Sequence, residues 1–283
     1  MRTLRALPAR TAAAARRRPR WWLELVLVAL LLFVYDLVTN LAPLRRAAAI
    51  RHGRDLLRIE HSLHLSPERS LDRWLSHHHG LALALADVYD NAHFVVTFGV
   101  LLWLWIWHSD RYVPLRRALV LTNLLAFAVF LLYPTAPPRL LPGQGYIDVV
   151  AQTGAIGSWH TGALSHDADQ YAAMPSLHLA WAWWSVISLA LVVRGRLWRG
   201  LFGLYPLLVG FVVLSTGNHY LIDAVAGSAL AFLSVWLGRR EPRTVPAVRR
   251  LYPLGLRAVD GAAGVWAMLG PEREAPAARE SEA

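Results

Sequence analysis

Uninterrupted apolar runs long enough to cross a bilayer recur along this chain, and they decide what it can fold into. They fall at residues 21–41, 81–107, 115–133, 177–193, 198–214 and 220–237. A hydrocarbon core ~30 Å thick needs about 20 mainly apolar helical residues to cross it. Backbone groups inside lipid must pair within the spanning structure, and runs of this length do so as helices. The expected fold is therefore all-α: a polytopic membrane bundle of six transmembrane helices. Hydrophobic residues make up 55% of the chain, which agrees, and the absence of Cys removes disulfide staples and thiolate metal sites. The first run has neither the short apolar core nor the small-residue cleavage site of a secretory signal, so it reads as a retained span.

Arginine placement orients the bundle. All 29 basic residues are Arg, and the net charge is +10. Seven Arg in residues 1–20, then Arg111, Arg116 and Arg117, then Arg194, Arg196 and Arg199, and finally Arg239 onward all fall on one side. By the positive-inside rule that side is the cytoplasm. An all-Arg, Ala-rich chain also suggests a bacterial plasma membrane. Both termini are then cytoplasmic, and residues 135–174 and 215–218 face outward. Residues 44–80 break the pattern with seven Arg. Asp55, Glu60, Glu68 and Asp72 partly offset them, and Leu56, Leu57, Ile59 and Leu63 form an apolar stripe, as in an outer-face interfacial helix. An inverted orientation is the alternative. Arginines at the ends of apolar runs suit lipid headgroups, and without aromatic and basic interleaving no nucleic-acid partner is expected. The domain reading is an Arg/Ala-rich tail over 1–20, a membrane catalytic domain over 21–239, and a largely disordered cytoplasmic tail over 240–283. Residues 261–269 are too short to span and suit the interface.

Ionisable groups at the mouths of apolar helices are costly, which makes them site candidates. His219 and Asp223 are four apart and share a face if a helix begins by His219, so the carboxylate could fix the imidazole tautomer. A structural polar contact between helices explains the pair equally well. His178 follows Met174-Pro175-Ser176, which reads as a helix start with Pro in the first turn and free N–H groups able to hold a phosphate near Ser176. Arg139, after three prolines, suits bidentate phosphate contact or headgroup anchoring. Asn91, His93, Asn218 and Tyr220 are candidate headgroup contacts. His160, His166, Asp148, Asp167, Asp169 and Gln170 line the long outer connection. His77, His78 and His79 superficially suggest a metal tract, but no carboxylate sits at ligand spacing, so no metal is expected.

Pro-Ser-x-His followed by His-x-x-x-Asp resembles the type 2 phosphatidic acid phosphatase superfamily. Met-Pro-Ser-Leu-His and Gly-Asn-His-Tyr-x-x-Asp look most like its inositol phosphorylceramide synthase and sphingomyelin synthase branch, over residues 91–237. The resemblance implies that His219 attacks phosphorus, Asp223 orients it and His178 protonates the leaving oxygen. Two features depart from the superfamily's pattern: no Lys precedes Arg139, and Val212 and Val213 stand where a Ser-Arg pair usually opens the last motif. The expected protein is a membrane lipid phosphotransferase or phosphatase working through a phosphohistidine without a cofactor. Its partners are a lipid substrate and, as acceptor, a lipid or polyol alcohol or water. A lipid phosphate or diphosphate phosphatase, and a catalytically silent lipid-binding protein, remain as alternatives.

Overall fold

The computed structural model describes residues 19–41, 45–153 and 171–240. The expectations for residues 1–18, for the tail beyond 240 and for His160, His166, Asp167, Asp169 and Gln170 lie outside the described residues. The chain divides into one unit over Met1–Arg239 and a second over Arg240–Ala283, and the described helices all belong to the first.

The helices are α1 (Trp21–Leu41), α2 (Arg46–Ser62), α3 (Glu68–Ser76), α4 (His79–Asp87), α5 (His93–Trp107), α6 (Ser109–Leu132), α7 (Val149–Thr153), α8 (Leu177–Val192), α9 (Arg196–Ser215) and α10 (Leu221–Gly238). A π-helical turn, Val88–Ala92, joins α4 to α5, so His79–Trp107 runs as a 29-residue stretch. Among the described residues, five helical stretches are long and apolar enough to cross a membrane, and α8 is a shorter apolar helix of 16 residues, so the protein is a membrane helical bundle.

Two boundaries differ from expectation. Arg111, Arg116 and Arg117, expected in a loop, lie on the first turns of α6, and His108 alone connects α5 to α6. The reason is distant in sequence: Tyr112 and Arg116 both donate to the Glu24 carboxylate of α1. Residues 44–80 form two helices, α2 and α3, rather than one. Ile59 and Leu63 of the expected apolar stripe are exposed, and Glu60 is buried instead.

Three of the four acidic residues of this segment bind backbone N–H groups of other parts of the chain, while Asp55 pairs with Arg58 on its own helix. Glu68 accepts from the Leu221 N–H and Glu60 from the Ile222 N–H, each at 2.7 Å. The first N–H groups of a helix lack intrahelical partners and carry partial positive charge, so the start of α10 is a natural seat for carboxylates. Burial pushes the Glu60 acid up to about 8 and raises Glu68 also. Asp72 accepts from the Ile147 N–H at 2.9 Å, and burial pushes it up to about 6.

Inside hydrocarbon, helices associate through close packing of small residues rather than through expulsion of water. Helix α10 buries Gly227, Ala231, Ser234 and Gly238 along one stripe. A Cβ at Gly227 would lie 2.1 Å from the Ser176 carbonyl oxygen, and one at Gly238 would lie 2.7 Å from the Ala118 nitrogen. The stripe thus presses α10 against the start of α8 at one end and against α6 at the other. Helix α8 packs on α5, α6, α9 and α10, and Trp184 Nε1–H donates to the Leu115 carbonyl at 2.9 Å. Helix α1 packs chiefly against α6.

Candidate active site

Three segments converge where α8 and α10 begin. After α6 the chain runs extended through Pro134 to Pro137 and then makes a short 3-10 turn, Pro138–Leu140. Thr135 bridges to the 171–173 segment: its N–H donates to the Tyr171 carbonyl at 2.7 Å and its carbonyl accepts from the Ala173 N–H at 3.2 Å. The turn delivers Arg139, whose N–H donates to the Gly217 carbonyl at 3.0 Å. Its Nε–H donates to Asn218 Oδ1 at 2.6 Å, and its Nη1 meets Asp148 Oδ2 at 3.3 Å. The side chain is only 5% exposed, so a buried cation is held by one amide oxygen and one carboxylate.

His178 is the second residue of α8. Ser176 is the N-cap, its Oγ accepting from the Leu179 N–H at 3.4 Å, and Pro175 precedes the cap instead of occupying the first turn. The Tyr89 ring stacks on His178 at 4.3 Å, and His93 meets His178 edge-on at 4.3 Å. His93 Nδ1 lies 3.0 Å from the Tyr89 carbonyl. A carbonyl can only accept, so that nitrogen carries the hydrogen.

His219 sits before α10, since Tyr220 is the N-cap and the helix begins at Leu221. Gly217, at φ 65°, turns the chain out of α9, and the His219 N–H donates to the Val213 carbonyl at 3.2 Å. Nδ1 of His219 lies 2.8 Å from the Ala173 carbonyl and 3.6 Å from Asp223 Oδ2. The carbonyl makes the hydrogen bond, and the carboxylate lies beyond hydrogen-bond reach. Nδ1 therefore carries the hydrogen, and the Nε2 lone pair is left for chemistry. The hydrogen-bond partner that sets the tautomer is thus the Ala173 carbonyl, where the Asp223 carboxylate was expected. Asp223 Oδ2 accepts from the Tyr220 N–H at 3.1 Å, and the buried carboxyl group sits behind the ring. The Ser176 N–H donates to the Asp223 carbonyl at 3.1 Å, which ties both histidine segments into one unit. The two imidazole centroids are 5.6 Å apart.

A cavity of about 450 Å³ opens beside them, with Arg139, His93, His178, Asn218 and His219 in its wall. Four of the expected residues are not in that wall. Ser176 is buried and spends its hydroxyl on the cap. Tyr220 is buried, and its hydroxyl donates to the Ala136 carbonyl at 2.9 Å. Asn91 is exposed and donates to the Asp87 carbonyl of its own helix at 3.2 Å. Asp223 stands behind His219. Sequence reasoning missed Tyr89, the Ala173 carbonyl, and the capping roles of Glu60 and Glu68. Only Tyr89 left a local trace, two residues before the Asn91 and His93 pair and on the π turn that re-aims both.

An imidazole with a fixed lone pair, a second imidazole beside it and a guanidinium form a set suited to nucleophilic attack, proton transfer and anion stabilisation. Phosphoinositol dihydroceramide synthase of Bacteroides thetaiotaomicron is 25% identical over 176 residues, which are 54% of this chain and 55% of that protein. The chain thus spans about half the length of this curated relative. The crystal structure of Aquifex aeolicus LpxE aligns at a TM-score of 0.43 and 17% identity, over 60% of this chain and 91% of that one. The PAP2 superfamily model matches residues 54–237, the stretch that carries both histidine motifs, Arg139 and all but the N-terminal helix of the bundle. The match covers well over half of the chain, and the protein belongs to the PAP2 superfamily.

Proposed function

We propose that the protein is a lipid phosphotransferase in which His219 carries the phosphoryl group. One observation carries the reading: the His178 and His219 rings lie 5.6 Å apart on the wall of a cavity that also holds the Arg139 guanidinium. In the first half-reaction Nε2 of His219 attacks phosphorus, the bond from phosphorus to the leaving oxygen breaks, and the His178 imidazolium gives that oxygen a proton. In the second, an alcohol oxygen attacks phosphorus, the P–Nε2 bond breaks to free the His219 imidazole with its lone pair restored, and neutral His178 takes the alcohol's proton. Arg139 offsets the charge that spreads over the phosphoryl oxygens; phosphoryl transfer needs mainly such positioning and charge stabilisation. Asp223, 3.6 Å from Nδ1, favours the positive charge that His219 gains on attack. When the group carried is a headgroup phosphate, His219 holds a phosphodiester.

An alcohol acceptor is supported by the similarity to the Bacteroides synthase and by the missing Ser-Arg pair at Val212 and Val213. The arginine distribution supports an outward-facing site, with 1–20 and 240–283 as cytoplasmic tails of the 21–239 membrane domain. The test supplies purified protein with a radiolabelled membrane phospholipid, with and without inositol or a diacylglycerol. Label moving onto the alcohol, and lost by at least ~10³-fold in His219→Ala at unchanged folding, is the expected outcome. Release of inorganic phosphate regardless of alcohol would replace the transferase reading with a phosphatase. Equal turnover in wild type and His219→Ala would overturn the nucleophile.

A further inference from the structure

The cavity is far longer than a phosphate site needs. Its lining on α6 comprises Arg116, Leu119, Val120, Asn123, Phe127 and Phe130, a single helical face. From Arg116 to Phe130 that face rises about 21 Å. One leaflet contributes only ~15 Å of hydrocarbon. The cavity therefore continues past the depth at which one leaflet ends. Its other wall is α1, which contributes Leu27, Val28, Leu31 and Tyr35, and Phe94 and Phe98 of α5 line a third side. Between the histidines at one end and Glu24 with Arg116 at the other, the walls are mainly apolar.

The far end is polar. Arg116 pairs with the Glu24 carboxylate, Tyr112 donates to the same carboxylate at 2.8 Å, and Trp105 Nε1–H donates to the Pro19 carbonyl at 3.2 Å beside them. The Arg116 and Glu24 side chains are 24% and 14% exposed. A hydrocarbon tail that reached this pair could not replace the hydrogen bonds it broke, and separating a partly buried ion pair is costly. A single face of α6 lines the cavity along this whole length, which suits one extended chain.

We propose that this cavity is a slot for one hydrocarbon chain of the lipid whose phosphate meets His219, and that the Glu24–Arg116 pair is its floor, setting the longest chain admitted. The proposal rests on the phosphoryl-transfer reading for what sits at the slot's mouth. The wall that defines it is separate from the family match, which begins at residue 54, whereas α1 ends at Leu41. Any second chain of the lipid stays in the bilayer.

The experiment uses the full-length protein in detergent and lysophosphatidic acids with octanoyl, hexadecanoyl or docosanoyl chains. Thermal stabilisation on binding and turnover are read separately. Wild type is expected to be stabilised most by the hexadecanoyl lipid. Val120→Trp, one turn above the floor, should weaken hexadecanoyl stabilisation and turnover by about ten- to a hundred-fold while changing the octanoyl values within about twofold. Leu27→Phe, on the α1 wall, serves the same comparison should Val120→Trp fail to fold. Equal effects of either variant on both chain lengths, or stabilisation that rises from hexadecanoyl to docosanoyl, would overturn the slot. Chain-length-dependent stabilisation with no His219-dependent turnover of any phospholipid would keep the slot and sink the enzyme reading instead.

Discussion

The junction that holds the histidines and the helix that walls the cavity are built on opposite plans. Where α8 meets α10, backbone touches backbone: Gly227 lies against the Ser176 carbonyl, the Ser176 N–H reaches the Asp223 carbonyl, and two glutamates from α2 and α3 close on the first N–H groups of α10. Helix α1 has none of this. It packs chiefly on α6, leaves Leu30, Phe33 and Leu37 exposed to lipid, and meets its neighbours through side chains, among them Glu24 and the Tyr35 ring, 5.6 Å from that of Phe127. The contrast teaches a division of labour. The proposed reaction requires two imidazoles to keep their separation to within a fraction of an ångström. A wall that only encloses a tail can be sparse.

Substitutions that strike the rigid junction should cost most. Gly227→Leu drives a side chain into the Ser176 carbonyl, so overpacking of at least ~1–3 kcal/mol is expected. Turnover should fall below detection and the melting temperature should drop; a fully active variant would mean that the junction tolerates separation. Arg139→Ala removes the cation while leaving both histidines in place, and kcat/KM is expected to fall about a hundred-fold. Arg139→Lys should recover only part of that, because an ammonium cannot bridge Asn218 and Asp148 as the planar fork does.

The glutamate pair ties the same junction to pH. The folded protein holds the Glu60 acid at about 8 against its ordinary 4.5, so it keeps a proton that the unfolded chain has released. Raising the pH from about 4.5 to 8 therefore favours unfolding, and this part of the stability is fully present below that window and gone above it. Thermal unfolding across that range should show a melting temperature that falls with pH in wild type and a flatter profile in Glu60→Gln. Parallel profiles would show that the carboxyl does not titrate there. The smallest effect is expected on the lipid face of α1: Leu30→Ala should leave turnover and stability within about twofold, as surface changes usually do. A large loss there would erase the distinction between the junction and the α1 wall.

The spans were readable because hydropathy is a local property and a bilayer imposes one length on every helix that crosses it. The histidine motifs were readable because ionisable groups rarely stand at such positions without a purpose. What escaped was set by partners far away in the chain. Arg116 looked like a loop residue because its carboxylate is Glu24, on another helix. Glu60 and Glu68 looked like surface charge balancing nearby arginines, yet they seat on N–H groups at residues 221 and 222. Asp223 looked like the hydrogen-bond partner of His219 because a spacing of four suggests one helical face. The helix starts two residues late, and the Ala173 carbonyl takes that bond. Ser176 was expected to hold a phosphate and Tyr220 to touch a headgroup, but the Ser176 hydroxyl caps α8 and the Tyr220 hydroxyl donates to the Ala136 carbonyl.

The contact at Gly227 also bears on how such a chain can change over time. The Pro-Ser-x-His and His-x-x-x-Asp stretches are separated by some forty residues of helix, yet they meet through a hydrogen where any other amino acid would place carbon. The intervening helices are free to drift in composition provided they return the chain to that meeting point. Residue 227 has no such freedom, because a side chain there would push the two motifs apart.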